Sequence, residues 1–126
     1  MVWLSRGICA LVVAASLTVL GCAGMAEYPL GIPSSSSPKF YASMEAVAAK
    51  HGMQISRHAE SLNIETEDGE WLQYMQRNGV IVLVVVANTD GLSDDQIELR
   101  KSDLRKLSDE LVREARQTAA EASAFD

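Results

Sequence analysis

Positions 80–87 read Val-Ile-Val-Leu-Val-Val-Val-Ala, with no polar residue on either side of the alternation. Strands of this kind are ordinarily buried on both faces, as in the middle of a sheet. Upstream, residues 62–66 and 71–77 mix apolar and polar positions at strand spacing, and Asp68-Gly69 and Asn78-Gly79 separate the three runs. Both dipeptides suit two-residue type I′ loops, which need positive φ at both positions. The pattern predicts an antiparallel meander, with a further strand over 53–57. Two-residue loops fix the register by counting. Across the second turn Arg77 faces Val80, Met75 faces Val82, Gln73 faces Val84 and Trp71 faces Val86. Across the first, Thr66 faces Trp71, Ile64 faces Gln73 and Leu62 faces Met75.

This register gathers Leu62, Ile64, Trp71, Met75, Val82, Val84 and Val86 on one face as the expected core. The other face carries Asn63, Glu65, Glu67, Glu70 and Gln76, together with Leu72, Tyr74, Ile81, Leu83 and Val85. A slip of one residue would exchange the faces. Glu67 is set against Glu70, a like-charge conflict that solvent at an exposed turn screens.

Two helices flank the meander. The first starts near Ser37-Pro38, where Ser suits the N-cap and Pro the first turn. Phe40, Met44, Val47, Ala48 and His51 mark one helical face, and Gly52 stands at the C-terminal left-handed position. The second begins with a capping box, Ser93 and Gln96, and a staple of Leu92 on Ile97. Asp94 and Asp95 occupy its first turn, where the helix dipole favours negative charge. Its apolar stripe runs Ile97, Leu104, Leu107, Leu111, Val112, Ala115.

The strand at 80–87 ends the meander, which leaves it at an edge in the simplest topology. Long apolar edges are covered or paired in natural proteins. Three arrangements resolve this: the 53–57 strand returns beside it, the helices cover opposite faces of the sheet, or another chain pairs with it. An exposed face at Leu72, Tyr74, Ile81, Leu83 and Val85 would be a partner-binding surface.

The N-terminus adds an address. Arg6 precedes an apolar and small-residue run over 7–20, the layout of a secretory signal and shorter than the roughly 20 residues of a membrane-spanning helix. The run closes on Val19-Leu20-Gly21-Cys22. This end resembles the lipobox of bacterial lipoproteins. The resemblance covers the first 22 residues and implies cleavage before Cys22, diacylglycerol on its sulfur and an acylated amine. Two or three acyl chains would hold the domain on a membrane permanently, since each buried CH₂ contributes about 0.8 kcal/mol. Ala23 in place of Asp favours the outer membrane, facing the periplasm, in a Gram-negative cell. Residues 22–37, with Pro29, Gly31, Pro33 and four serines, read as a flexible tether with a reach on the order of 20 Å. Tyr28, Leu30 and Ile32 are apolar for a tether, with either the domain or the bilayer surface to dock on.

Composition narrows the chemistry. The 126 residues carry a formal charge of −6, and the basic pairs at 100–101 and 105–106 are interleaved with acids, which disfavours nucleic acid. Cys9 leaves with the signal and Cys22 is spent on lipid, so no thiol remains for a disulfide, metal or nucleophile. His58 and Glu60, two apart, are too few for a zinc site. No G-x-S-x-G elbow is present. The Asn88-Thr89-Asp90-Gly91 stretch fails as a calcium loop, because Val86 and Ile97 fall where carboxylates are required.

The expectation is therefore a signal peptide (1–21), a lipidated tether (22–37) and a two-layer α+β domain (38–126). That domain is a helix, three or four antiparallel strands and a long C-terminal helix. Its expected role is a non-catalytic, lipid-anchored envelope protein that binds a protein partner or self-associates, with no cofactor or metal. The alternative is a periplasmic carrier of a small apolar ligand.

Overall fold

A computed structural model describes residues 24–122, with side chains through Thr118. The order is β1 (Met25–Pro33), one 3-10 turn (Ser34–Ser36), α1 (Ser37–Lys50), β2 (Gln54–Arg57), β3 (Ser61–Glu65), β4 (Trp71–Arg77), β5 (Val80–Val86) and α2 (Asp94–Ala122). The strands form one antiparallel sheet in the order β1-β5-β4-β3-β2. Both helices pack on the same face, where Phe40 of α1 meets the Tyr74 ring edge-on and Ser108 of α2 hydrogen-bonds the Tyr74 hydroxyl at 2.7 Å. The fold is α+β in two layers with a long C-terminal helix.

β1 corrects the tether reading of 22–37. Met25–Pro33 is a strand, paired with β5 from Met25–Val86 to Pro33–Val80. Its breakers are placed where a sheet accepts them. Pro29 sits on an edge strand, where a missing N–H costs no ladder bond, and Gly31 (φ +70°) lies in a bulge between Pro29 and Ile32. Of the apolar residues set aside as tether, Ile32 is buried and Tyr28 and Leu30 pack against the core.

β1 also makes the apolar strand at 80–87 central, by an arrangement outside the three expected. β2 lies at the far edge against β3, the helices share one face, and β1 occupies the place held open for another chain.

The second turn has the expected form: Asn78 and Gly79 both have positive φ, and all four expected pairings between β4 and β5 are present. The first does not. Glu65 faces Trp71, Ile64 faces Leu72 and Leu62 faces Tyr74. Here Gly69 alone has positive φ, its N–H bonds the Thr66 carbonyl (3.1 Å), and the Thr66 N–H bonds the Glu70 carbonyl (2.8 Å). This is a type I turn closed by a glycine bulge, a three-residue loop. The extra residue slips β3 by one position, and the faces exchange accordingly. Leu62 and Ile64 lie with Leu72, Tyr74, Ile81, Leu83 and Val85, all buried beneath the helices. Trp71, Met75, Val82, Val84 and Val86 take the face without a helix.

The helices follow their local signals closely. Ser93 N–H donates to Gln96 Oε1 (2.8 Å) and Gln96 N–H to Ser93 Oγ (3.3 Å), a closed capping box. Gly52 (φ +72°) ends α1, with Gly52 N–H on the Ala49 carbonyl and Met53 N–H on the Ala48 carbonyl. Ser37 is the first residue of α1 rather than its cap, and it is buried with its Oγ accepting from Gln76 Nε2 (2.9 Å). His51, expected on the apolar face, is exposed and bonds Glu114 of α2 at 2.8 Å. Lys50 also pairs with Glu114 (2.8 Å), and these bonds, Lys50 first, hold the Glu114 carboxyl below its usual range.

Burial pushes the Tyr74 phenol well above its ordinary value, despite the hydrogen bond shared with Ser108. Below about pH 10 the ring is neutral folded and unfolded alike. Above it, the unfolded chain ionises first, so stability falls as pH rises toward the folded value. Urea midpoints measured from pH 8 to 11 should decline, and Tyr74→Phe should flatten the decline; Tyr41, also raised by burial, and Lys50, raised by Glu114, contribute as well.

Candidate functional site

The residues proposed from sequence as a partner surface, Leu72, Tyr74, Ile81, Leu83 and Val85, are each wholly inaccessible. They form the floor of the core under α1 and α2 and cannot meet a partner in the folded domain. The misassignment follows directly from the slipped register.

Among the described residues no helix lies on the opposite sheet face, but it is not bare. Arg77 of β4 pairs with Glu27 of β1, from the level of Val80 to that of Val84, with Val82 between them. Arg77 also donates to the Met75 sulfur at 3.4 Å. This brace crosses β5, where Val82 and Val84 are buried. Trp71 and Met75 remain half-buried.

A concave site lies instead between β1 and α2. It is an open groove of about 510 Å³, inside the roughly 300–1,000 Å³ range of small-molecule sites. One wall is β1, where Tyr28 pairs with Leu83 and the bulge turns Leu30 to the same side. The other is α2, whose Arg105, Asp109, Val112 and Arg116 line it. Their spacing of four, three and four residues is a single helical stripe. Arg113 and Gln117 flank that stripe. Leu30, Val112 and the Tyr28 ring provide apolar surface above the buried Leu83, and the Arg105 guanidinium stands 4.3 Å from the centre of that ring.

The groove escapes a reading of the sequence for one reason: its strand wall lies in the segment taken as tether. The helix stripe at 105, 109, 112 and 116 is a visible signal, but a stripe without an opposing wall forms no site.

Two other polar clusters are structural. Glu70, expected on an exposed face opposite Glu67, is buried at 1% exposure. Its carboxylate takes both Arg100 Nη2 and Arg100 Nε (3.2 Å for the latter) and the Asn88 N–H (3.0 Å). It thereby ties the β3–β4 turn to the segment after β5 and to α2, while Glu67 stays exposed. His58 and Glu60 sit in the β2–β3 turn rather than on a strand: His58 bonds Ser56 Oγ (3.3 Å), and the Glu60 carbonyl accepts from the Tyr41 hydroxyl (3.0 Å). Among the described residues, no group of three or more His, Cys, Asp or Glu is placed to hold a metal ion. No described helix is long and apolar enough to cross a membrane. Cys22, the expected lipidation site, lies outside the described residues. Compared with family models, curated proteins and solved structures, the chain matches none.

Proposed function

We propose that this chain is a non-catalytic, lipid-anchored protein of the bacterial cell envelope whose β1–α2 groove holds a small ligand with an apolar body. The groove itself carries this reading. It is concave, apolar at its floor and polar at its rim, the usual make-up of a small-molecule site. The lipobox-like Val19-Leu20-Gly21-Cys22 supports the anchor.

The start of β1 supports a particular placement. Two peptide units, at most about 7 Å of chain, separate Cys22 from Gly24. Gly24 is already seated: its carbonyl accepts the Ala87 N–H at 2.7 Å, and a Cβ there would meet Thr89 Cγ2 at 2.6 Å. A lipid on Cys22 therefore holds the domain against the bilayer, without the spacer that a flexible 22–37 would supply. The strand that walls the groove is the continuation of the anchored segment.

A soluble form starting at Ala23 keeps every core residue, since the core lies within 26–115. Native mass spectrometry of that form, purified from a bacterial host, should show a small added mass, and Val112→Asp in the groove should remove it. A monomer that takes up no small molecule from cell extract or added amphiphiles would refute the groove reading. The second reading is protein docking on the helix-free sheet face, favoured by Trp71 and Met75 there. It predicts a dimer or heteromeric complex that Trp71→Ala disrupts.

A further inference from the structure

We infer that the groove selects a single-chain amphiphile ending in an oxygen acid, either a carboxylate or a phosphate monoester. This rests on the groove being a ligand site, and not on lipid at Cys22.

The charge pattern carries the inference. Arg57, Arg77 and Arg100 each pair with a glutamate: Glu45, Glu27 and Glu70 respectively. The three arginines on the groove, Arg105, Arg113 and Arg116, have no carboxylate within ion-pair distance among the described residues. Asp109 lines the same groove without pairing with any of them. In a chain of net charge −6, acids are plentiful. Three cations against one carboxylate leave this concave surface net positive, and the arginines without an ion pair among the described residues mark a place for an external anion.

Geometry separates head from tail. Arg105 is engaged on the Tyr28 ring. Arg113 and Arg116 stand together two to three turns further along α2, about 16 Å from Arg105 to Arg116 at 1.5 Å per residue. Between them the surface is formed by Val112 and Leu30. An acid group on Arg113 and Arg116 would lay its chain over these side chains toward Tyr28. Guanidinium matches carboxylate and phosphate alike through paired N–H donors. A concave groove also suits a monomer in solution better than a flat bilayer surface, which cannot reach its floor.

The test uses the soluble form from Ala23 with laurate, dodecyl phosphate and uncharged dodecanol, below their micelle or solubility limits, read by titration calorimetry and native mass spectrometry. One or both acids should bind one-to-one at least about tenfold tighter than dodecanol, equivalent to about 1.4 kcal/mol. Which acid binds tighter distinguishes the carboxylate from the phosphate source. Arg113→Gln/Arg116→Gln should erase the preference while leaving the thermal midpoint unchanged. Equal binding of acids and alcohol overturns the charge selection and leaves the groove a ligand site. A preference that survives in the double variant overturns it as well. No binding of any probe overturns both readings. Arginine-dependent binding to phosphatidylglycerol vesicles alone, without monomer binding, would reassign the groove to a membrane surface and overturn the proposal.

Discussion

Arg100→Ala will lower the stability of this domain by about 3–5 kcal/mol, the cost of leaving a buried charge without its partner. Glu70 is 1% exposed, and Arg100 is the one cation paired with it among the described residues. The Asn88 N–H and solvent cannot replace two guanidinium donors. Arg100 itself retains partial contact with water, which places the loss toward the lower end. With a urea slope of roughly 1–3 kcal/mol per molar, the midpoint should fall by roughly 2 M. The loss should be partly recovered in Arg100→Ala/Glu70→Gln, because a neutral amide carries no unpaired charge and still accepts from Asn88. A single-variant loss below about 1 kcal/mol would place this pair among ordinary surface bridges.

Leu83→Asp or Tyr74→Asp should abolish cooperative unfolding altogether. Both side chains are wholly buried, in contact with the layer formed by α1 and α2. An unpaired carboxylate there costs more than several kcal/mol, against a total stability of about 5–15 kcal/mol for a typical domain. Gln73→Asp, one strand position from Tyr74 on the helix-free face, should cost about 1 kcal/mol or less. Circular dichroism with urea titration separates these cases. A folded Leu83→Asp domain would return that face to the surface and restore the partner site first expected there.

The contrast between those neighbours shows what a sequence can and cannot disclose. α2 was readable in detail, because its capping box and apolar stripe are local and agree. The β4–β5 hairpin was readable for the same reason: Asn78-Gly79 admits one tight loop, and the alternation on both sides accepts its register. Asp68-Gly69 is ambiguous, since Gly at positive φ closes both a two-residue type I′ turn and a three-residue bulged one. Choosing the shorter loop inverted the core. The deciding term is tertiary: Glu70 reaches Arg100, thirty residues away, only when the bulge turns it inward.

β1 was hidden by its own composition. Pro29, Gly31 and Pro33 are breakers in a central strand, yet they are tolerated at an edge and in a bulge. The vacant side of β5 is visible in the sequence as an apolar edge, but nothing local shows that this segment, rather than 53–57 or another chain, fills it. The candidate groove was lost with it. Its arginines were present at helical spacing, but their significance depends on which carboxylates fold next to the other three.

The proposed anchor at Cys22 is tested most directly in cells. Cells expressing the full chain and fed labelled palmitate should yield a labelled, membrane-bound protein, and Cys22→Ala should give neither label nor tight membrane attachment. An unlabelled mature chain released into solution, or label that persists without that sulfur, would contradict the anchor.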